Sequence, residues 1–137
     1  MARAKEKCIS LLGSASVALD AVAGTEVTLY TVPTGKKAVI THVVARSFDE
    51  AVDEAVVTLG EAGVAGSCDE FLGNQTLTNV GAGYADECLI MQPIPNATPV
   101  AALILDAGES FGSQITTAET TGTAAAVFDV FGYEYDA

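Results

Sequence analysis

Tryptophan is absent from the 137 residues, and histidine occurs once, as His42. Metal centres in β-barrel enzymes usually combine several histidines, and a single histidine cannot supply such a ligand set. His42 lies in an apolar run between Thr41 and Val43, so we interpret it as a packed or hydrogen-bonded strand residue and not as a catalytic base. No nucleophile-elbow motif surrounds any serine or cysteine. The sequence therefore predicts no catalytic residues, no metal and no cofactor.

Cysteine is scarce and irregularly spaced. Cys8, Cys68 and Cys88 form an odd set with no C-x-x-C spacing and no histidine close to any of them in sequence. This pattern favours reduced thiols that act as small hydrophobic packing groups, as expected for a protein assembled in a cytosolic environment.

Long uninterrupted apolar runs are also missing, although half of the residues are hydrophobic. Gly, Thr, Asp and Glu recur too often for any stretch to approach the roughly 20 apolar residues that cross a bilayer. The N-terminal residues are charged like the start of a signal peptide, but the apolar run 8–12 stops at Gly13. We therefore expect neither secretion by that route nor a membrane partner.

Basic residues are missing after Arg46. The first 46 residues hold six bases and three acids, whereas the remaining 91 hold fifteen acids and no base, which gives the net charge of −12. Such a body repels nucleic acid, whose binding depends on clustered cations. The short basic N-terminus, residues 1–12, either reaches the acidic face of a neighbouring copy as an arm or is a solvated tail. The candidate subunit contacts on this arm are Arg3, Lys5, Lys7, Ile9 and Leu11.

Strand signals dominate the remaining residues, 13–137, which we interpret as one domain. Runs of Val, Ile, Thr and aromatic residues alternate with Gly, Pro, Asn and Asp at the spacing of an all-β sandwich or barrel. The predicted strands are 15–19, 25–32, 37–46, 55–60, 76–80, 88–92, 98–105, 110–116 and 123–135. In the third strand both faces are largely apolar, which favours an interior strand or one packed on another subunit.

Two hairpins are predicted, residues 25–46 and residues 103–115. In the first, Pro33 fixes φ for the turn and Gly35 can adopt the positive φ of a type II geometry. In the second, the turn is DAGE at residues 106–109.

Loops and turns are predicted elsewhere. Residues 47–54 match a capping box followed by a short helix, but we favour a charged loop. Residues 116–123 are predicted to form an exposed loop and residues 60–66 a turn. Adjacent carboxylates could bind calcium or act as acid and base, yet we interpret them as solvated loop residues because the spacing fits no EF-hand. The pairs are Asp49-Glu50, Asp53-Glu54, Asp69-Glu70 and Asp86-Glu87.

Three segments together resemble small virion proteins of tailed bacteriophages. Residues 29–41 (LYTVPTGKKAVIT) resemble the family's YTVP-x-GK turn before its first long core strand. Residues 105–110 (LDAGES) resemble its second turn, L-x-x-G-E/D, and residues 127–134 (VFDVFGYE) its V-x-V-x-G-x-E ending. The resemblance implies an all-β, jelly-roll-type antiparallel β-sandwich of about eight strands that decorates or cements a capsid, or that lies in a head fibre or tail.

From the residues and the resemblance together we expect a non-enzymatic decoration or cementing subunit, a homo-oligomer with a trimer favoured, that binds the major capsid or another virion protein. We expect it in the virion, after assembly in the host bacterial cytoplasm. The alternative is a tail or fibre-tip protein that grips a host-surface glycan through Tyr84, Phe71 or Tyr133. An enzyme that uses His42 is a third hypothesis.

Overall fold

A computed structural model describes residues 8–64, 68–80, 87–93 and 102–137, and these residues form nine β-strands and no helix. No helix in this part of the chain is therefore long and apolar enough to span a bilayer. The strands are β1 (Ser10–Ala18), β2 (Glu26–Thr31), β3 (Lys36–Arg46), β4 (Val56–Ala62), β5 (Leu72–Thr76), β6 (Leu89–Met91), β7 (Leu103–Leu105), β8 (Ser110–Thr117) and β9 (Ala125–Asp136).

The strands form two antiparallel sheets. The five-stranded sheet has the order β1-β9-β3-β6, and β7 also pairs with β3. The four-stranded sheet has the order β2-β8-β4-β5. Strands β6 and β7 pair with opposite ends of the same edge of β3, so together they fill one strand position and the sandwich has eight positions. Most successive strands cross between the sheets as in a jelly roll, and only β4 to β5 and β6 to β7 stay within one sheet. This arrangement confirms the predicted fold class.

Neither predicted hairpin is a hairpin. Strand β2 pairs with β8 and strand β3 with β9, so the turn at residues 32–35 carries the chain from one sheet to the other. The turn at residues 106–109 does the same between β7 and β8. Both turn positions are nevertheless confirmed, since Gly35 has φ +77° and Gly108 has φ +86°. Turn residues reverse the chain, but the burial of both flanking strands decides which sheet each one joins.

The two turns pair with each other at one end of the sandwich. The Val32 N–H donates to the carbonyl of Glu109 at 2.9 Å, and the Gly108 N–H donates to the carbonyl of Val32 at 2.9 Å. Both sheet crossings are therefore fixed by the same backbone contacts.

Most other predicted strands overlap observed ones. The exception is 76–80, because β5 ends at Thr76 and residues 77–80 form a turn. Residues 47–55 form a loop, which confirms the loop prediction over the short helix. Ser47 has φ +54°, which lies outside the extended conformation of a helix N-cap. The predicted turn at residues 60–66 was partly wrong, because its first three residues belong to β4.

The core lies between the sheets. Phe48, Phe111 and Phe128 are at most 2% exposed, and Phe71 packs edge to face on Phe111 with ring centroids 5.4 Å apart. Full burial of one such side chain stabilises the fold by roughly 1.5–3 kcal/mol.

Two β-bulges bend the five-stranded sheet at the same level. One lies in β1 between Leu11 and Gly13, and the other lies in β3 between Ile40 and His42. Both flank Phe131 in β9, and the bulge in β3 also borders Gly132. A Cβ at Gly132 would overlap the backbone of β3, so this position requires a glycine.

Candidate interaction surface

The outer face of the five-stranded sheet is defined by the strand register. In β3, Ala38, Ile40, Val43 and Ala45 point into the core and are at most 3% exposed, so the residues between them point outward. Residues paired across an antiparallel ladder share a face, which extends the assignment to the neighbouring strands. We name the following set the apolar face: Leu11, Val39, His42, Val44, Ile90, Ile104, Phe131 and Tyr133.

Three aliphatic side chains of the apolar face are strongly exposed, at 55% for Leu11, 60% for Ile90 and 52% for Ile104. Ile9, next to β1, is 58% exposed. These four account for most of the large hydrophobic side chains that are exposed in the described part of the chain. Single exposed hydrophobics are ordinary, whereas a cluster on one sheet face is typical of an interaction site.

Aromatic rings occupy the centre of the apolar face. His42 stacks on Phe131 with ring centroids 4.8 Å apart and planes 3° from parallel. The Thr41 hydroxyl donates to the Phe131 carbonyl at 3.1 Å and lies 3.0 Å from Nδ1 of His42. His42 is therefore a packed, hydrogen-bonded strand residue, as the sequence predicted. Within the described ranges no group of three His, Cys, Asp or Glu side chains could hold a metal ion.

A buried carboxylate, Asp129, lies on the outer side of the same sheet, beside the apolar face. Asp129, 6% exposed, accepts hydrogen bonds from Ser14 Oγ at 2.6 Å and from Arg46 Nε at 2.5 Å. Burial raises the pKa of Asp129, but the hydrogen bonds from Arg46 and Ser14 and the charge of Arg46 outweigh it and hold the pKa below its usual value. The negative charge of Asp129 on this surface is thus compensated by the positive charge of Arg46.

The two lysines in the described ranges are also paired, at the margin of the same sheet. Lys36 lies 2.6 Å from Asp136, and Lys37 lies 3.0 Å from Asp106. The basic side chains in the described ranges are therefore all neutralised by carboxylates, and the rest of the described surface carries the excess acid.

Sequence reasoning missed a second polar feature, the buried carboxylate of Glu119. The side chain is 3% exposed although residues 116–123 were predicted to form an exposed loop. Glu119 Oε2 accepts backbone hydrogen bonds from Asp53 at 2.9 Å and Glu54 at 3.0 Å. It also accepts one from Ala55 at 3.3 Å. One glutamate among threonines has no local sequence signal, because the three backbone donors to its Oε2 are more than sixty residues away.

The acidic residues at positions 49, 50, 53, 54, 69 and 70 are exposed and lie outside the strands, as predicted, but several of them also accept hydrogen bonds from a neighbouring segment. Asp49 accepts a hydrogen bond from the Ala125 N–H at 2.7 Å, and Glu50 accepts two from Thr123. Glu54 accepts one from the Thr120 hydroxyl. These carboxylates join the loop 47–55 to the segment before β9.

Two of the predicted subunit contacts, Ile9 and Leu11, are exposed, and Leu11 pairs with Phe131 at the margin of the apolar face. The other three, Arg3, Lys5 and Lys7, lie outside the described residues. Residues 10–12, assigned to the arm, form the start of β1.

Two of the three aromatic residues proposed for glycan binding, Phe71 and Tyr133, do not share an exposed groove. Phe71 is 5% exposed and belongs to the core, which contradicts its predicted place in an exposed site. Tyr84 lies outside the described residues, and Tyr133 belongs to the apolar face.

The cysteines were predicted to be packing groups, and only Cys68 is. Cys68 is buried, and burial, with the nearby charges of Glu26 and Glu70, raises the pKa of its thiol to about 12. Cys8 and Cys88 are exposed.

No family model matches the chain, and no curated protein matches it. Solved structures with similar folds include chains of two bacteriophage capsids. A chain of the cyanophage Pam1 capsid asymmetric unit is 12% identical, with a TM-score of 0.57 over 94% of this chain and 86% of that chain. A chain of the acid-stable capsid of Helicobacter pylori bacteriophage KHP30 is 12% identical, with a TM-score of 0.55 over 96% of this chain and 99% of that one. The likeness shows that this chain shares its overall fold with chains of two bacteriophage capsid structures.

Proposed function

We propose that the chain is a non-enzymatic structural subunit of a bacteriophage particle, which decorates or cements the capsid by binding other virion subunits. It assembles as a trimer in the host bacterial cytoplasm. The likeness to two capsid chains over nearly the whole fold supports the location. The observation that carries the proposal is the exposed apolar face on the outer side of a two-sheet sandwich.

The surface chemistry supports protein partners. An isolated acidic subunit stays soluble because its charge is far from zero, but its apolar face is unfavourable in water until a partner covers it. The same acidic charge opposes the approach of nucleic acid. A protein surface, on another copy of this chain or on a different virion subunit, is the partner that this chemistry fits.

The basic N-terminal segment supplies a second contact. Strand β1 lies at one edge of the five-stranded sheet, and its first residues lie beside the apolar face. A positively charged arm that continues from this edge can reach the acidic surface of a neighbouring subunit. Many weak contacts of this kind, repeated over a particle, give tight overall binding.

The test uses purified particles of the phage that carries the gene. Full-length protein and a variant that lacks residues 1–7, with β1 intact, are mixed with particles depleted of the protein and are sedimented together. We expect saturable binding of the full chain and loss of binding for the variant. A matched variant with Arg3, Lys5 and Lys7 all changed to Gln separates charge from length. Absence of the protein from purified particles would contradict the proposed function.

A further inference from the structure

We propose that the apolar face is the surface through which copies of this chain pack against one another. The inference rests on the proposed function for the assembly into an oligomer, and it names the surface that the oligomer uses. The occupant of the face is thus a second copy of this chain, and the capsid contacts lie elsewhere on the subunit.

Charge is the first argument for a second copy as the occupant. Each chain carries a net charge of −12, so two copies repel each other through most of their surfaces. The residues of the apolar face include no carboxylate, and the neighbouring Asp129 is neutralised by Arg46. Two copies can therefore approach closely through this face without bringing unpaired carboxylates together. A basic partner would instead be attracted to the acidic remainder of the surface.

The area of the face is the second argument. The sheet is four strand positions wide, or about 19 Å at about 4.8 Å per position. Strand β1, with nine residues, is about 30 Å long at about 3.3 Å per residue. The flat area is therefore roughly 600 Å², and the relief of the side chains increases the accessible area. A stable protein interface buries about 800 Å² on each partner, so a contact that uses the whole outer surface of this sheet approaches the size that such an interface needs.

The arrangement of side chains is the third argument. Phe131 and Tyr133 lie near the centre, and Phe131 is held in place by the stacked ring of His42. Aliphatic side chains, including Ile90 and Ile104, lie across β3 from these rings. Aromatic anchors that are already ordered lose little side-chain entropy on binding, and such residues dominate the energetics of subunit interfaces.

The test measures the mass of the isolated protein by sedimentation velocity over a range of concentrations. The wild-type chain is expected at a multiple of its 14.0 kDa mass. Ile104→Asp and Ile90→Asp are expected to weaken self-association on the order of a hundredfold or more, because each places an unpaired charge in the contact. Both side chains are more than half exposed, so the variants should keep the wild-type circular dichroism spectrum.

Val22→Asp is the matched control. Val22 is 78% exposed, lies outside the apolar face and gains the same single charge. It is expected to keep the wild-type mass. Unchanged mass for both face variants, or equal dissociation of Val22→Asp, would overturn the inference.

Particle binding separates this inference from the proposed function. If the wild-type chain binds particles but is monomeric at every concentration, copies of the chain do not pack through the apolar face, and the inference is wrong. The proposed role in the virion is not contradicted by that result. A wild-type oligomer that dissociates through the face variants, but is absent from purified particles, would support the inference and contradict the virion role.

Discussion

Replacement of Glu119 by glutamine should destabilise the sandwich although the side chain is far from the apolar face. One carboxylate oxygen of Glu119 accepts three backbone N–H groups, from Asp53, Glu54 and Ala55. The other accepts the Thr121 N–H at 3.2 Å. A glutamine side chain has one acceptor oxygen, so in either orientation at least one of these N–H groups loses its acceptor.

The magnitude follows from the number and kind of these bonds. A hydrogen bond to a charged group contributes about 1.5–3 kcal/mol, and a neutral one contributes about 0.5–1.5 kcal/mol. Because Glu119→Gln loses at least one bond and makes the others neutral, the free energy of unfolding should fall by about 2–3 kcal/mol. For a domain of this length, about 1 kcal/mol changes Tm by roughly 3–5 °C, which gives a decrease of roughly 6–15 °C.

The assay is urea and thermal unfolding at pH 7, followed by circular dichroism at one protein concentration. Asp20→Asn is the matched control, because Asp20 is exposed and the substitution removes the same charge. The free energy of unfolding of the control should lie within about 0.5 kcal/mol of the wild-type value. If Glu119→Gln and Asp20→Asn unfold with the same free energy, the carboxylate does not hold the two loops together and the reasoning is wrong.

The same variant should alter the pH dependence of stability. Burial raises the pKa of Glu119, but the backbone hydrogen bonds outweigh it, so the pKa is lowered in the folded state. A carboxyl with a lowered folded-state pKa stabilises the fold above its unfolded pKa of about 4.3, and this contribution is lost as the pH falls through the folded value. Wild-type stability should therefore fall on acidification below about pH 5. Glu119→Gln should show a shallower decrease in the same urea titrations.

Two further outcomes are expected from the packing. Gly132→Ala should lower the free energy of unfolding, measured in urea titrations, by about 1–3 kcal/mol. The reason is that the added methyl group meets the Val39 backbone, so the close-packed sheet must shift. A variant as stable as the wild type would contradict the claim that this position requires a glycine. A thiol reagent at pH 8 should modify Cys8 and Cys88 rapidly and Cys68 only on unfolding, because Cys68 is buried and its thiol stays protonated. Equally fast modification of all three thiols would contradict the burial of Cys68.

Strand positions were largely predictable from the sequence, because alternating β-branched residues and turn residues are local signals. The pairing partners were not. The turn around Gly35 looks like a hairpin, yet its two strands join different sheets, because burial across the whole sandwich decides the partner. The close approach of β3 to Gly132 was equally unpredictable, since a glycine in a strand does not indicate which backbone lies next to it.

The candidate site was predictable in part. An apolar outer surface was foreseen for β3, whose two faces are both rich in Val, Ile and Ala, and the structure places this strand in the interior of its sheet. The contributions of Ile90 and Ile104 were not foreseen, because each lies on a three-residue strand whose register depends on β3. The Asp129 and Arg46 ion pair was missed because it joins residues 83 positions apart, so no local pattern marks it.

Cryo-electron microscopy of purified phage particles tests the central claim most directly. The account predicts density for this jelly roll on the capsid, with the outer face of the five-stranded sheet against another copy of the chain and the N-terminal arm on a neighbouring subunit. Particles without the protein, or copies whose Ile90 and Ile104 face solvent in the assembled particle, would contradict it.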